Sequence, residues 1–137
     1  MSAARVAAIA EARSWVGTKF HFGARIKGVG VDCGQLLAAV YRPDEPGPDY
    51  LPDWWQHGDR EILLDQVLAY AHEVAAPQPG DVALWKFGRC WSHAGIVTDW
   101  PTVIHALGGL VVMEEDTVSN RLFEGRPVRF FNPWGDR

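Results

Sequence analysis

Three side chains in this sequence have the types and the order that nucleophilic acyl chemistry needs. Cys33 stands in Asp32-Cys33-Gly34, where a glycine-rich stretch gives way to the apolar segment Gln35-Leu36-Leu37-Ala38-Ala39-Val40-Tyr41. His93 stands in Ser92-His93-Ala94-Gly95-Ile96-Val97, and His105 in Val103-Ile104-His105-Ala106. A thiol reacts as the thiolate, and a helix N-terminus lowers its pKa because unpaired N–H groups point at it. Those N–H groups also stabilise the oxyanion that forms when sulfur attacks a carbonyl. A neutral imidazole can take the thiol proton and return one to the leaving amine, provided a partner fixes its tautomer. The twelve-residue separation of His93 and His105 fits a short antiparallel hairpin that sets base and orienter side by side.

Each of these residues also has an ordinary structural role. A cysteine at the head of an apolar helix can be a small core residue, and a strand histidine a satisfied polar group. The three could also ligate zinc, but no fourth ligand is obvious and no paired ligand spacing exists. Other candidates read more plainly. Cys90, beside Trp91, falls in a turn between strands and reads as incidental. His57 and His72 fall in a loop and on a helix surface, where solvent exposure is expected. Trp54 and Trp55 could line a cleft or pack a Pro-rich loop. Glu114-Glu115-Asp116 reads as a solvated turn.

The elements that must position the three residues follow from periodicity and breakers. Ser2 caps an expected helix to about Val16, with Val6, Ile9, Ala10, Arg13 and Trp15 on a loose apolar face and Gly17 at its end. Thr18 to Val31, with glycines at 23, 28 and 30, reads as an irregular loop. The Cys33 helix stops before Pro43, and prolines 43, 46, 48 and 52 mark a loop. Asp59 caps a further helix carrying Ile62, Leu63, Val67, Leu68 and Ala71 at helical spacing. After Ala75 the pattern changes to short strands at Val82–Phe87, Ser92–Thr98, Thr102–Ala106, Leu110–Met113 and Pro127–Phe131. Helices first and an antiparallel sheet after them give one α+β domain over residues 1–137.

Composition narrows the function. A net charge of −4 opposes general nucleic-acid binding, which needs a basic surface. No apolar run is long enough to insert in a membrane. The first fifteen residues carry Arg5, Glu11 and Arg13, so they read as an amphipathic helix rather than a signal peptide.

Taken together, Gly17-Thr18-Lys19-Phe20-His21-Phe22-Gly23, Gly30-Val31-Asp32-Cys33-Gly34, Pro79-Gly80-Asp81-Val82, Ser92-His93-Ala94-Gly95-Ile96-Val97 and Ile104-His105-Ala106 carry a resemblance. The chain resembles the NlpC-type cell-wall peptidases, papain-like enzymes of permuted order in which cysteine precedes histidine. The resemblance runs from about Val6 to the end, and is closest to the small branch encoded by phages and gene transfer agents. It implies a papain-like core in which the cysteine helix packs on a small antiparallel sheet carrying both histidines. It implies Cys33 as nucleophile, His93 as general base and His105 as the residue that orients His93. It further implies a substrate site involving Asp32, Phe20, His21, Gly34 and Ser92, with no cofactor and no metal.

Two positions depart from the family pattern. Phe20 stands where a tyrosine hydroxyl often helps the oxyanion, so the hole would rest on backbone groups or on a neighbour such as His21. Gly34 stands where a serine often follows the cysteine, while Asp32 is kept and could meet a substrate amine. The implied activity is hydrolysis of peptidoglycan stem peptides, commonly between γ-D-glutamate and a diamino acid. The implied partners are bacterial peptidoglycan and phage or gene-transfer-agent tail proteins. The expected location is a particle tail acting in the periplasm or at the cell wall, after cytoplasmic synthesis without a signal peptide. Two alternatives stand beside this: a tail-assembly or tail-tip structural protein that keeps the fold, and an amidase or acyltransferase acting on another acyl group.

Overall fold

The structure, a computed structural model, describes residues 1–49 and 60–136. Trp54, Trp55, His57 and Asp59 therefore lie outside the described residues. Among the described residues, three helices precede a six-stranded antiparallel sheet. Helix α1 spans Ala3–Arg13, and Ser2 caps it by accepting from the Arg5 N–H at 3.2 Å. It ends three residues short of the expected Val16. Trp15 and Val16 donate to residues three back, so the chain tightens into a turn before Gly17, whose φ is 92°.

The face of α1 that packs also differs from the expected one. Arg5, Ala8, Ile9 and Ala12 are buried and Trp15 continues the stripe, while Val6, Ala10 and Arg13 are exposed. Arg5 turns the helix. Its guanidinium meets Asp81 at 2.9 Å, Asp136 at 2.7 Å and the Pro79 carbonyl at 2.8 Å, so a charge occupies what periodicity marks as solvent-facing.

The stretch from Thr18 to Val31 is not irregular throughout. Strands β1 (Arg25–Ile26) and β2 (Gly30–Val31) form a hairpin, with Gly28 at φ 80° in its turn. Phe20 donates its N–H to Leu110 and bridges to Val31, which ties this segment to the sheet and to the start of the next helix. Helix α2 spans Cys33–Tyr41 and is buried on nearly all sides. Helix α3, Ile62–Leu68, buries Leu63, Leu64 and Val67 but leaves Leu68 exposed.

The sheet order is β3-β8-β4-β5-β6-β7, with β3 at His72–Val74, β4 at Val82–Phe87, β5 at Cys90–Asp99, β6 at Thr102–Ala106, β7 at Val112–Asp116 and β8 at Val128–Asn132. Two expectations are corrected here. His72 opens an edge strand, not a helix surface, because β8 supplies a pairing partner in Asn132. Cys90 begins β5 and is 1 % exposed, so the turn before it is Gly88-Arg89 and the cysteine is a core residue.

Both faces of the sheet are covered. Val82, Leu84, Ala94, Ile96, Ile104 and Val112 pack with α1, α2 and α3. Ala83, Trp85, Val97, Val103, Leu107 and Phe123 form a second core, with Phe123 supplied by a 3-10 helix at Arg121–Phe123. Burial on both faces explains why β4 and β6 read as continuous apolar runs rather than alternating ones. Gly95 of β5 must be small, since a Cβ there would sit 3.0 Å from the Val103 side chain of β6.

Candidate active site

Asp32 builds the start of α2. One carboxylate oxygen accepts from the Gln35 N–H at 2.8 Å and the other from the Gly23 N–H at 2.7 Å. A cap of this kind is worth about 1 kcal/mol, and it fixes Cys33 as the first helical residue. The sulfur lies in a cleft of about 190 Å³ lined by Phe20, Phe22, Phe87, Ser92, His93 and Leu107. That volume suits individual side chains of an extended substrate rather than a whole small molecule. Larger cavities exist, one of about 610 Å³ beside Tyr41 and Tyr70 and one of about 860 Å³ along α1. Neither includes the thiol or a histidine.

The histidines arrive through sheet register. Trp85 of β4 pairs with His93, and the β5–β6 pairing of Ile96 with Ile104 and Val97 with Val103 carries His105 to the same face. His93 Nε2 lies 2.8 Å from His105 Nδ1. Their rings sit in an aromatic surround of tilted contacts: the Phe123 ring centre lies 5.6 Å from that of His93 and 5.5 Å from that of His105, and Trp85 5.7 Å from His93. His105 is fully buried and His93 nearly so.

The third link is a residue that the charge pattern hides. Glu115 Oε1 lies 2.7 Å from His105 Nε2 and accepts from Asn120 Nδ2 at 3.0 Å. The acidic run Glu114-Glu115-Asp116 is thus not a solvated turn but the end of β7. Strand alternation sends Glu114 to Arg13 of α1 and Glu115 to His105 on the other face. The available signal was the two-residue period Val112, Glu114 against Met113, Glu115.

Electrostatics set the resting state. Burial, followed by the neighbouring Asp32 carboxylate, pushes the Cys33 thiol up to about 12, against the opposing N–H groups of Ala94, Gly34 and Cys33 itself. A helix terminus contributes roughly 1–2 kcal/mol, about one pH unit, whereas full burial can shift a group by about 3–5 units. Burial wins, so the expectation of a thiol lowered by its helix end is corrected for the resting protein. Burial, and then the proximity of His105, holds His93 well below 6.5. His105 is also lowered by burial, partly offset by Glu115. The resting couple is therefore a neutral thiol and a neutral imidazole, and the thiol donates to the Ser92 carbonyl at 3.7 Å.

The remaining expected site residues divide. Phe20 and Ser92 line the cleft, the Ser92 hydroxyl being taken by the Phe87 carbonyl at 3.0 Å. Asp32 lines it as well, with both oxygens engaged by backbone N–H groups. Gly34 is buried behind the cysteine and lines the Tyr41 cavity instead. His21 is exposed and is not among the cleft residues, its Nδ1 lying 3.2 Å from the Phe22 carbonyl. With Phe20 lacking a hydroxyl, the donors at the sulfur are backbone N–H groups. Among the described residues no group of three His, Cys, Asp or Glu side chains is arranged to hold a metal ion.

A thiol and an imidazole lining one cleft, with a second histidine hydrogen-bonded to the first, are the groups that nucleophilic acyl transfer requires.

No protein-family model matches the chain, and no characterised protein matches it by sequence. Solved structures do match. The NlpC/p60 domain of the peptidoglycan hydrolase SagA superposes with a TM-score of 0.61 at 18% identity, covering 91% of this chain and 96% of that one. NlpC1 from Trichomonas vaginalis gives 0.67 at 19% identity over 99% of this chain, which spans only 46% of that longer protein. RipD from Mycobacterium tuberculosis, a non-catalytic NlpC/p60 domain protein adapted to peptidoglycan binding, gives 0.62 at 13% identity, covering 98% and 100%. The helix-borne cysteine and the histidine-bearing sheet thus belong to an α+β, papain-like arrangement, and the chain has the fold of the NlpC/p60 domains.

Proposed function

We propose that this chain is a cysteine peptidase that hydrolyses peptide bonds in peptidoglycan stem peptides. The observation that carries the reading is the shared cleft of Cys33 and His93, with His93 Nε2 2.8 Å from His105 Nδ1. Sulfur adds to the carbonyl carbon as the thiol proton passes to His93, and backbone N–H groups at the head of α2 hold the oxyanion. Collapse expels the amine, protonated by His93, and leaves a thioester on Cys33. Water, deprotonated by the now neutral imidazole, then releases the acid and the free thiol. The bond we assign is the one between γ-D-glutamate and a diamino acid, and the setting is a phage or gene-transfer-agent tail that opens the wall locally. Both finer assignments rest on the motif resemblance.

A second reading has an observation of its own. A thiol 8 % exposed and pushed up to about 12 is poorly disposed to attack, which favours a domain that binds peptidoglycan without cutting it. Mass spectrometry of purified peptidoglycan after incubation with wild type and Cys33→Ala separates the two. Peptidase activity gives new stem-peptide fragments whose ends identify the bond, with wild type only. Retention of both proteins on the wall with no fragments from either establishes the binding reading.

A further inference from the structure

The hydrogen bonds beyond His105 have a direction that can be followed inward from the backbone. Asn120 precedes the 3-10 helix at Arg121–Phe123, and its Oδ1 accepts from the Leu122 N–H at 3.0 Å. A backbone N–H can only donate, so Oδ1 is the acceptor end of that amide, and Nδ2 must be the end that donates to Glu115 Oε1. The same Oε1 that accepts from Asn120 lies 2.7 Å from His105 Nε2 and accepts there as well, so His105 Nε2 carries a hydrogen. A neutral His105 then has a bare Nδ1, which accepts from His93 Nε2 at 2.8 Å. A neutral His93 with its hydrogen on Nε2 is left with a bare Nδ1, the one ring nitrogen available to receive the Cys33 proton.

We infer that Glu115 and Asn120 are positioning residues that set the tautomers of both histidines, leaving His93 Nδ1 as the basic atom facing the chemistry. Neither residue touches the cleft; both act through His105. Without Glu115, His105 is free to place its hydrogen on Nδ1. That would force His93 to accept at Nε2 and put its own hydrogen on Nδ1, where it can no longer serve as base. The carboxylate also balances the charge that reaches the histidine pair when His93 is protonated. Phe123, packed against both rings, comes from the same 3-10 helix that Asn120 caps, so ring packing and tautomer are fixed together.

The inference rests on Cys33 and His93 being nucleophile and base, but its first test does not depend on any activity. Long-range proton–nitrogen NMR of the histidine rings at pH 7.5 reads the tautomers directly. Wild type should show the hydrogen on Nε2 in both His93 and His105. A hydrogen on Nδ1 of His93 in the wild type overturns the inference whatever the protein cleaves. Glu115→Leu should lose the single-tautomer pattern at His105 and lower kcat on a defined stem peptide by about 10- to 100-fold, with KM within twofold. Glu115→Gln, which keeps an acceptor oxygen, should recover most of that loss. A folded Glu115→Leu with wild-type tautomers and wild-type kcat overturns it. If Glu115→Leu does not fold, Asn120→Ala leaves the carboxylate in place and should show partial mixing at His105. An unchanged spectrum there removes Asn120 from the chain of control. Normal tautomers with no hydrolysis by any form would contradict the peptidase reading while leaving the tautomer assignment standing.

Discussion

Replacing solvent by reagent at the Cys33 sulfur tests the resting state of the site. The thiol is 8 % exposed and is pushed up to about 12 from 9.0, first by burial and then by Asp32. A three-unit displacement corresponds to about 4 kcal/mol against the thiolate. At neutral pH the thiolate population is then about a thousandfold below that of an ordinary cysteine. His93 does not reverse this, because burial holds it neutral as well. Alkylation by iodoacetamide, followed from pH 6 to 10 and located by peptide mass spectrometry, reads the population. Cys90, likewise a buried thiol and 1 % exposed, serves as an internal comparison for burial. The Cys33 rate should be at least a hundredfold below that of a free thiol at pH 7.5 and should climb about tenfold per pH unit without levelling. A rate that levels off between pH 5 and 8 would mean a preformed thiolate–imidazolium pair, and the electrostatic account would be wrong. For the peptidase we propose, the proton would then move to His93 only when bound substrate brings the carbonyl to the sulfur.

Two stability predictions follow from buried charge. Arg5→Met leaves Asp81, 1 % exposed, without its cation, and should cost roughly 3–5 kcal/mol in urea unfolding; a loss below about 1 kcal/mol would remove the ion pair from the architecture. His93 and His105 are both held below 6.5 in the fold, so the unfolded chain takes up their protons first as pH falls. Stability should be level above pH about 7.5 and decline below about 6.5, by up to about 1.4 kcal/mol per pH unit for each histidine. An unfolding midpoint that does not move between pH 7.5 and 5.5 would contradict this.

The parts of the site that could be read from sequence are those fixed by short-range pattern. Cys33 is announced by glycine punctuation on one side and an apolar helix on the other. Strands Val82–Phe87 and Thr102–Ala106 have the bounds their apolar runs give. Residues placed by distant partners escaped. Arg5 is buried because Asp81 and Asp136 lie 76 and 131 positions away, and nothing local marks an arginine as interior. Glu115 sits in a run of three acids, where like charges mask the two-residue alternation that separates them onto opposite faces. His72 joins a strand only because β8, sixty residues on, offers an edge. The helix end at Cys33 was visible, but the burial that outweighs it was not, since desolvation depends on what packs over the sulfur.

The central claim is that Cys33 performs covalent chemistry on a stem peptide. Its most direct test is the rate at which Cys33→Ala, compared with wild type, frees the new amine from a defined γ-D-glutamyl–diamino acid peptide. The account predicts a loss of at least about ten-thousandfold in kcat with an unchanged fold by circular dichroism. Cleavage by Cys33→Ala within tenfold of wild type would contradict it.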